Sequence, residues 1–418
     1  MKKSPRVLCL VVLVGIVLLQ GVCFSEEQVA SNELPCVQVI FDRLRNGPSP
    51  DSFTVSPDGQ RVAYVVPADA GRRVKVDGKE GKGYGGILEG SLIFSPDSKR
   101  AAYVAVKGKK RIVVIEEVES REWGAIGVPR KTLVNYGWLA EAPQEAWYQA
   151  SGVAAPAFSP DSRQVAYGAE RNGTWFLVVD GVEQSAPRED CDLITNPAFS
   201  PDGARIAYLM RSKDAKWRVV LGDSVGKEYD GIGGGSLRFS PDGRLAYAAK
   251  RDNKWFILLE GAEGEHYDGV KSLTWSSNGR LAFVAKNGED WIAVLDGVKG
   301  KAYKEIRDLT FSPDGKRAAY AAKRGDVWVA VVDGVEGKEY REKVWAIVFS
   351  PDGKRVAYAA SNSRVGDHFA VLDGRESKRY NCFLGRPAFI APNALRFWTG
   401  EIRIPGGKNR VCRVETTW

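Results

Sequence analysis

Phe311-Ser312-Pro313-Asp314-Gly315-Lys316-Arg317-Ala318-Ala319-Tyr320 is the stretch on which the fold turns. An extended run ends at Phe311, Pro313 fixes one φ angle and Gly315 accepts a positive one, so the chain reverses. Working outward, Ile306 to Phe311 reads as a first strand and Arg317 to Ala322 as a second, whose small side chains let neighbouring sheets approach. Val327 to Val332 is apolar on both faces, as a strand buried between sheets should be. Asp333-Gly334 is a strong hairpin signal and leads into a short polar fourth strand around Lys338-Glu339-Tyr340.

The phrase recurs. F-S-P-D-(G/S) begins at Phe94, Phe158, Phe199, Phe239, Phe311 and Phe349; Val55 opens an early version, Trp275 a variant and Phe389 a decayed copy. Successive starts lie 39, 64, 41, 40, 36, 36, 38 and 40 residues apart, and all but one interval suit a four-stranded blade. One such sheet has two apolar faces, which radial stacking against like copies buries. The expected fold is therefore all-β, a β-propeller of about eight four-stranded blades over residues 53–418, with seven or nine as alternatives. A ninth unit supplies first, second (Leu395 to Trp398) and third (Arg410 to Val414) strands but no fourth. Val37 to Leu44, in the N-terminal segment 26–52, is a candidate for the missing strand.

The F-S-P-D-G-K-R-x-A-Y phrase resembles the WD40-like (PD40) propeller repeat of TolB-type periplasmic proteins and of the propeller halves of prolyl-oligopeptidase-like enzymes. The resemblance covers roughly residues 53 to 415. Its TolB branch implies a scaffold that binds a protein partner. Its peptidase branch implies a G-x-S-x-G nucleophile, and the nearest string, Gly233-Gly234-Gly235-Ser236-Leu237-Arg238, lacks the final glycine.

Residues 1–25 read as a cleaved signal peptide: Lys2, Lys3 and Arg6 precede an apolar run from Val7 to Leu19, and small residues surround a cut before Glu26. Lipidation at Cys23 is less expected, because Val22 stands where a small residue is wanted. The expected location is periplasmic or secreted. No second apolar stretch approaches the roughly 20 residues that span a bilayer, so no transmembrane segment is expected in the mature chain. Export makes a disulfide among Cys36, Cys382 and Cys412 one reading, with buried free thiols, Cys191 included, as the other. The net charge of +8 is compatible with an acidic partner without requiring one.

No catalytic, metal-binding or cofactor-binding residue is expected. His266 and His368 have no companion His or Cys at ligand spacing. The recurrent turn aspartates (Asp97, Asp161, Asp202, Asp242, Asp314 and Asp352) read as turn formers that bond their own backbone rather than as calcium ligands.

Two surfaces are candidates for a partner. Arg171, Arg211, Lys250, Arg251, Lys286, Lys323 and Arg324 follow the second-strand aromatic and should share one rim. They would attract an anion, or form a solvated rim neutralised by Asp214, Asp252, Asp290 and Asp326 in the same loops. The 64-residue interval holds an insertion at about 119–153 with Trp123, Tyr136, Trp138, Trp147 and Tyr148, either a packed lid or a recognition patch. The leading expectation is a non-enzymatic protein-interaction scaffold, the alternative a carbohydrate- or polyanion-binding propeller taking an anionic glycan. A monomer with no nucleic-acid partner is expected.

Overall fold

The computed structural model describes residues 53–58, 61–69, 71–127, 156–184, 190–233, 235–363, 367–380, 382–391, 393–401 and 410–417. The leader, Cys36, the Val37 to Leu44 segment and residues 128–155 lie outside them. Every regular element among the described residues is a β-strand. They form eight antiparallel sheets with four strand positions each, in simple up-and-down order, and a ninth of three strands. The chain is an all-β propeller with eight full blades and an irregular terminal one.

The blade around the opening stretch, seventh in chain order, has strands Glu305–Phe311, Ala318–Arg324, Val327–Val332 and Val335–Tyr340. The ninth has Cys382–Ala391, Ala394–Glu401 and Arg410–Thr417. Two compact units divide the chain, one from Pro48 to Val270 and one containing Lys271 to Trp418. Blades one to five fall in the first. Blades six to nine fall in the second, apart from the first two residues of the strand Gly269–Trp275.

Within each unit the blades stack side by side. Second and third strands are buried almost throughout, whereas fourth strands are mostly exposed. Between blades seven and eight, Ala319, Ala321, Trp328 and Tyr340 pack with Val344, Ile347, Tyr358 and Phe369. Alanines in the second strand permit the sheets to approach, and large side chains from the neighbouring blade fill the space. First strands also touch between blades one and two, three and four, four and five, seven and eight, and eight and nine.

Three recurrent devices join each repeat to itself and to the next. The buried turn serine is a hub: Ser312 Oγ donates to Asp314 Oδ1 (2.6 Å) and accepts from the Arg317 backbone N–H (3.0 Å). Ser95, Ser159 and Ser350 repeat the arrangement. At the neighbouring hairpin, Asp333 and Gly334 have φ of 52° and 81°. These are the two positive angles a type I′ turn requires, which is why Asp-Gly stands there. Asp333 Oδ1 also accepts from the Ala318 N–H (2.9 Å).

Arg317 then crosses to the next blade. Its Nε donates to Asp333 (2.7 Å), its Nη1 donates to the carbonyl of Gly353 (3.3 Å), and its guanidinium lies 5.5 Å from the Phe349 ring centroid. Arg61 and Arg280 do the same toward Phe94 and Phe311. The third device is an aromatic pair: Tyr340, ending the seventh blade, meets Tyr358 of the eighth edge-on at 6.1 Å. Tyr84–Tyr103, Tyr229–Tyr247 and Tyr303–Tyr320 match it at 6.2–6.3 Å. Edge-to-face pairing suits the ring quadrupoles and adds about 0.5–1.5 kcal/mol beyond burial.

The first strands carry an irregularity that the sequence pattern hides. In blades four, six, seven and eight each has one residue of positive φ at mid-strand: Asn196, Ser272, Asp308 and Ala346. The register slips there wherever the pairing is described. Blades two and five open the same point into a short loop, between Gly86–Ile87 and Ile93–Phe94 and between Gly231–Ile232 and Arg238–Phe239. In blade three the halves are Ala125–Ile126 and Ala157–Phe158, both paired to Val165–Arg171. The extra residues of the long interval therefore enter inside a first strand, after Gly127, and not from Glu119 as the spacing suggests. Residues 119 to 127 belong to the repeat itself.

Candidate functional site

The expected basic rim splits into two classes. Residues at the end of the second strand are neutralised within the framework. Arg171 donates to Glu183 (2.7 Å), Arg251 to Glu263 (3.1 and 2.6 Å), and Arg324 to Glu336 and Glu339. Three of these outer-strand glutamates take a second cation from the preceding blade: Arg121 for Glu183, Lys227 for Glu263 and Lys301 for Glu336. The same pattern holds the Glu119 carboxylate down at about 2, chiefly through Lys82 and Lys107. Arg211, one position earlier, is paired with Asp192 (2.9 and 3.0 Å). The neutralising groups are thus Glu183, Glu263, Glu336 and Asp192. Asp214 instead accepts from Ser212, and Asp290 pairs with Lys304.

Lys250, Lys286 and Lys323 form the second class, placed beside the first indole of the third strand by the registers Lys250↔Trp255, Lys286↔Trp291 and Lys323↔Trp328. Lys250 acts on the Asp230 carboxylate through its charge. Lys286 reaches Trp291 at 6.0 Å. In the unit that begins at Lys271, the first strands add cations that sequence reading missed. Lys271 Nζ sits 4.0 Å from the Trp291 ring centroid, the Arg307 guanidinium 5.3 Å from that of Trp328, and Lys343 Nζ 5.1 Å from that of Trp345. For Lys271 and Arg307 the signal was the spacing, 36 residues, which equals the interval between Trp275 and Phe311.

Lys271 and Arg307 each directly precede the positive-φ residue of their strand, Ser272 and Asp308. In blade eight the roles are exchanged. Trp345 occupies the first-strand position, His368 the third-strand one, and the rings meet edge-on at 5.8 Å. The carboxylate placed among these cations is Glu305, paired across strands with Lys323 and accepting from Arg307 Nε. Burial lowers the Lys271 ammonium from its ordinary value, with Glu305 opposing and Arg307 adding to the shift. Among the described residues Lys271, Lys286, Lys323 and Lys343 make no ion pair.

Other expected residues fall differently. Trp123 is 0% exposed, lies edge-on to Tyr167 at 6.2 Å and carries Arg121 over its ring at 4.3 Å. It takes the place of the repeat's inter-blade tyrosine and belongs to the core, not to a partner surface. Tyr136, Trp138, Trp147 and Tyr148 lie outside the described residues, as does Cys36. Cys382 and Cys412 sit on strands that flank a common neighbour, opposite Gly400 and Thr399. Two strand spacings put their Cα atoms about 10 Å apart, beyond the roughly 7 Å that a disulfide bridges. Cys191 is buried, which pushes its thiol up to about 11. His266 stacks on Phe256 at 4.7 Å.

A shallow cleft of about 600 Å³ lies between Tyr340, Arg341, Asn362 and Arg379. Within it Arg379 pairs with Asp367, and Glu339 pairs with Arg324. Among the described residues no group of three or more His, Cys, Asp or Glu is placed to hold a metal ion, and no helix is long and apolar enough to cross a membrane.

No family model matches the chain, and no curated protein matches it. Solved structures do. One described as the crystal structure of the eukaryotic initiation factor is 13% identical, with a TM-score of 0.50 over 83% of this chain and 91% of that one. A second, the Dos1 propeller, is 11% identical, with a TM-score of 0.41 over 80% of this chain and 92% of that one. At such identity the first likeness concerns the fold alone, and it agrees with the repeated four-stranded sheets: this chain is a β-propeller.

Proposed function

We propose that this protein is an exported, non-enzymatic scaffold of the TolB type that binds a protein partner in the periplasm or outside the cell. The observation that carries the reading is the division of its polar residues. The Ser-Pro-Asp-Gly turns, crossing arginines and outer-strand glutamates satisfy one another within and between blades, so the framework is rigid. The lysines beside the indoles are not used by that framework, and a rigid framework presenting variable, uncommitted residues is how repeat propellers recognise partners. The leader and the F-S-P-D-G-K-R-x-A-Y phrase support export and the TolB-type comparison.

The test is capture of partners from a matched envelope extract by the purified mature chain. A variant lacking residues 129–154 serves beside it, which leaves both halves of the first strand, Ala125–Ile126 and Ala157–Phe158, in place. A protein retained at moderate salt and lost with the segment supports the scaffold and locates its site. Retention of nothing but acidic glycans, at low salt only, replaces it with the polyanion-binding reading, which the lysines of blades six to eight independently favour.

A further inference from the structure

Blades six to eight carry a series of cations over the indoles of their first and third strands. Lys271 and Lys286 share one indole, that of Trp291, with their Nζ atoms 4.0 and 6.0 Å from its ring centroid, and neither makes an ion pair among the described residues. One repeat later, Arg307 lies over Trp328 while Lys323 is the cross-strand partner of both Trp328 and Glu305. Lys343 continues the series over Trp345. Glu305, which lies among these cations, is engaged by Arg307.

The indoles decide what kind of anion fits. Trp291 and Trp328 are 4% and 5% exposed, and the cations lie over their rings. Their faces are therefore not offered to a sugar ring, which would need to stack on an exposed aromatic. Arg307 is exposed, Lys286, Lys323 and Lys343 are half-buried, and the first strands of blades seven and eight adjoin one another. Inner edges of packed sheets lie within roughly 10 Å, which an extended chain covers in about three residues. Carboxylates at every second or third position of an extended segment would then meet successive blades.

We infer that Lys271, Lys286, Arg307, Lys323 and Lys343 form a docking strip for an extended acidic peptide segment of a partner protein. The inference rests on the scaffold reading and names the part of the partner that this surface takes. The lowered proton affinity of Lys271 accords with a site whose positive charge awaits a counter-charge. Cations held over indoles keep their position before the ligand arrives, so less side-chain entropy is lost on binding.

The experiment measures binding of a fluorescent decaglutamate peptide to the mature chain by anisotropy, at about 20 mM and about 200 mM salt. The K271E/K323E variant is compared with a charge-matched control, K316E/K354E, on the turn face, and near-ultraviolet dichroism confirms that both keep the native fold. Binding at low salt that weakens at least about tenfold in K271E/K323E, and no more than about twofold in the control, is the expected result. Equal loss in both variants, or no binding by the parent protein at low salt, overturns the strip. Binding of a sulfated oligosaccharide of equal charge in preference to decaglutamate overturns the peptide assignment. Envelope partners retained unchanged by K271E/K323E would leave the scaffold standing while the strip fails, so the two readings are separable.

Discussion

Among the described glycines of the unit reaching from Pro48 to Val270, Gly168 is the one where an added Cβ would come closest to a neighbouring blade, and replacing it with alanine tests how those blades are held apart. A Cβ there would stand 2.0 Å from the Ile194 carbonyl oxygen and 2.6 Å from its carbon. Ordinary contact begins near 3.4 Å, so the first strand of the fourth blade has to retreat by well over 1 Å, backbone included. Overpacking of this kind costs roughly 1–3 kcal/mol, while the lower unfolded-state entropy of alanine returns about 0.4–1 kcal/mol. The net loss is about 1–2 kcal/mol, or a fall in melting temperature of several degrees for a unit of this size. The Gly127 N–H donates to the Gly168 carbonyl (2.9 Å), so the retreat also loosens the root of the inserted segment. Urea unfolding followed by tryptophan emission measures the loss, and proteolysis between residues 128 and 155 should accelerate. An unchanged or raised midpoint refutes the close approach. Ala248, the matching position in blade five, already carries a Cβ, so Ala248→Gly should cost only the smaller penalty of a strand glycine, about 0.5–1 kcal/mol.

Three further outcomes are expected. Hydrogen bonds from Ser95, Ser159, Ser200, Ser240, Ser312 and Ser350 hold Asp97, Asp161, Asp202, Asp242, Asp314 and Asp352 below the usual carboxylate range. Folded values depressed below unfolded ones mean stability that is complete above a pH of about 4 and lost as pH falls through the folded values. An acid titration by dichroism checks this, and a stability loss beginning above a pH of about 6 would contradict it. Arg317→Ala removes the link to Asp333 and Gly353 and the cation over Phe349 and should cost about 1–2 kcal/mol. Arg317→Lys should recover little, because one ammonium cannot bridge both blades, and full recovery by lysine counts against the bridging role. Cys191 should react with a thiol reagent at pH 8 far more slowly in the native protein than in urea, and a non-reducing peptide map should contain no Cys382–Cys412 linkage. Rapid native labelling or that linkage would sink the respective assignment.

The repeat was legible in the sequence because its determinants are local. Pro313 and Gly315 force a turn, Asp333-Gly334 a hairpin, and alternating small and large residues a sheet with two faces, whatever the rest of the chain does. The turn role of the aspartates and the irregular last blade followed from the same local chemistry. Charge pairing did not, because it depends on the register between strands: Arg251 and Lys250 are adjacent in sequence, yet Glu263 neutralises Arg251 while Lys250 is placed beside an indole. Trp123 looked like part of an exposed insertion since nothing in its neighbours says that it replaces a core tyrosine. The slipped first strands were hidden for a related reason. A single positive-φ residue such as Asp308 or Ala346 changes which side chains share a face without changing the hydrophobic pattern. Sequence alone therefore determined the blade, its turns and the repeat number to within an irregular unit. Only the tertiary structure decided which cations are neutralised, where the inserted segment is rooted and that Lys271 and Arg307 each lie over an indole of their own blade, because each depends on the register between strands.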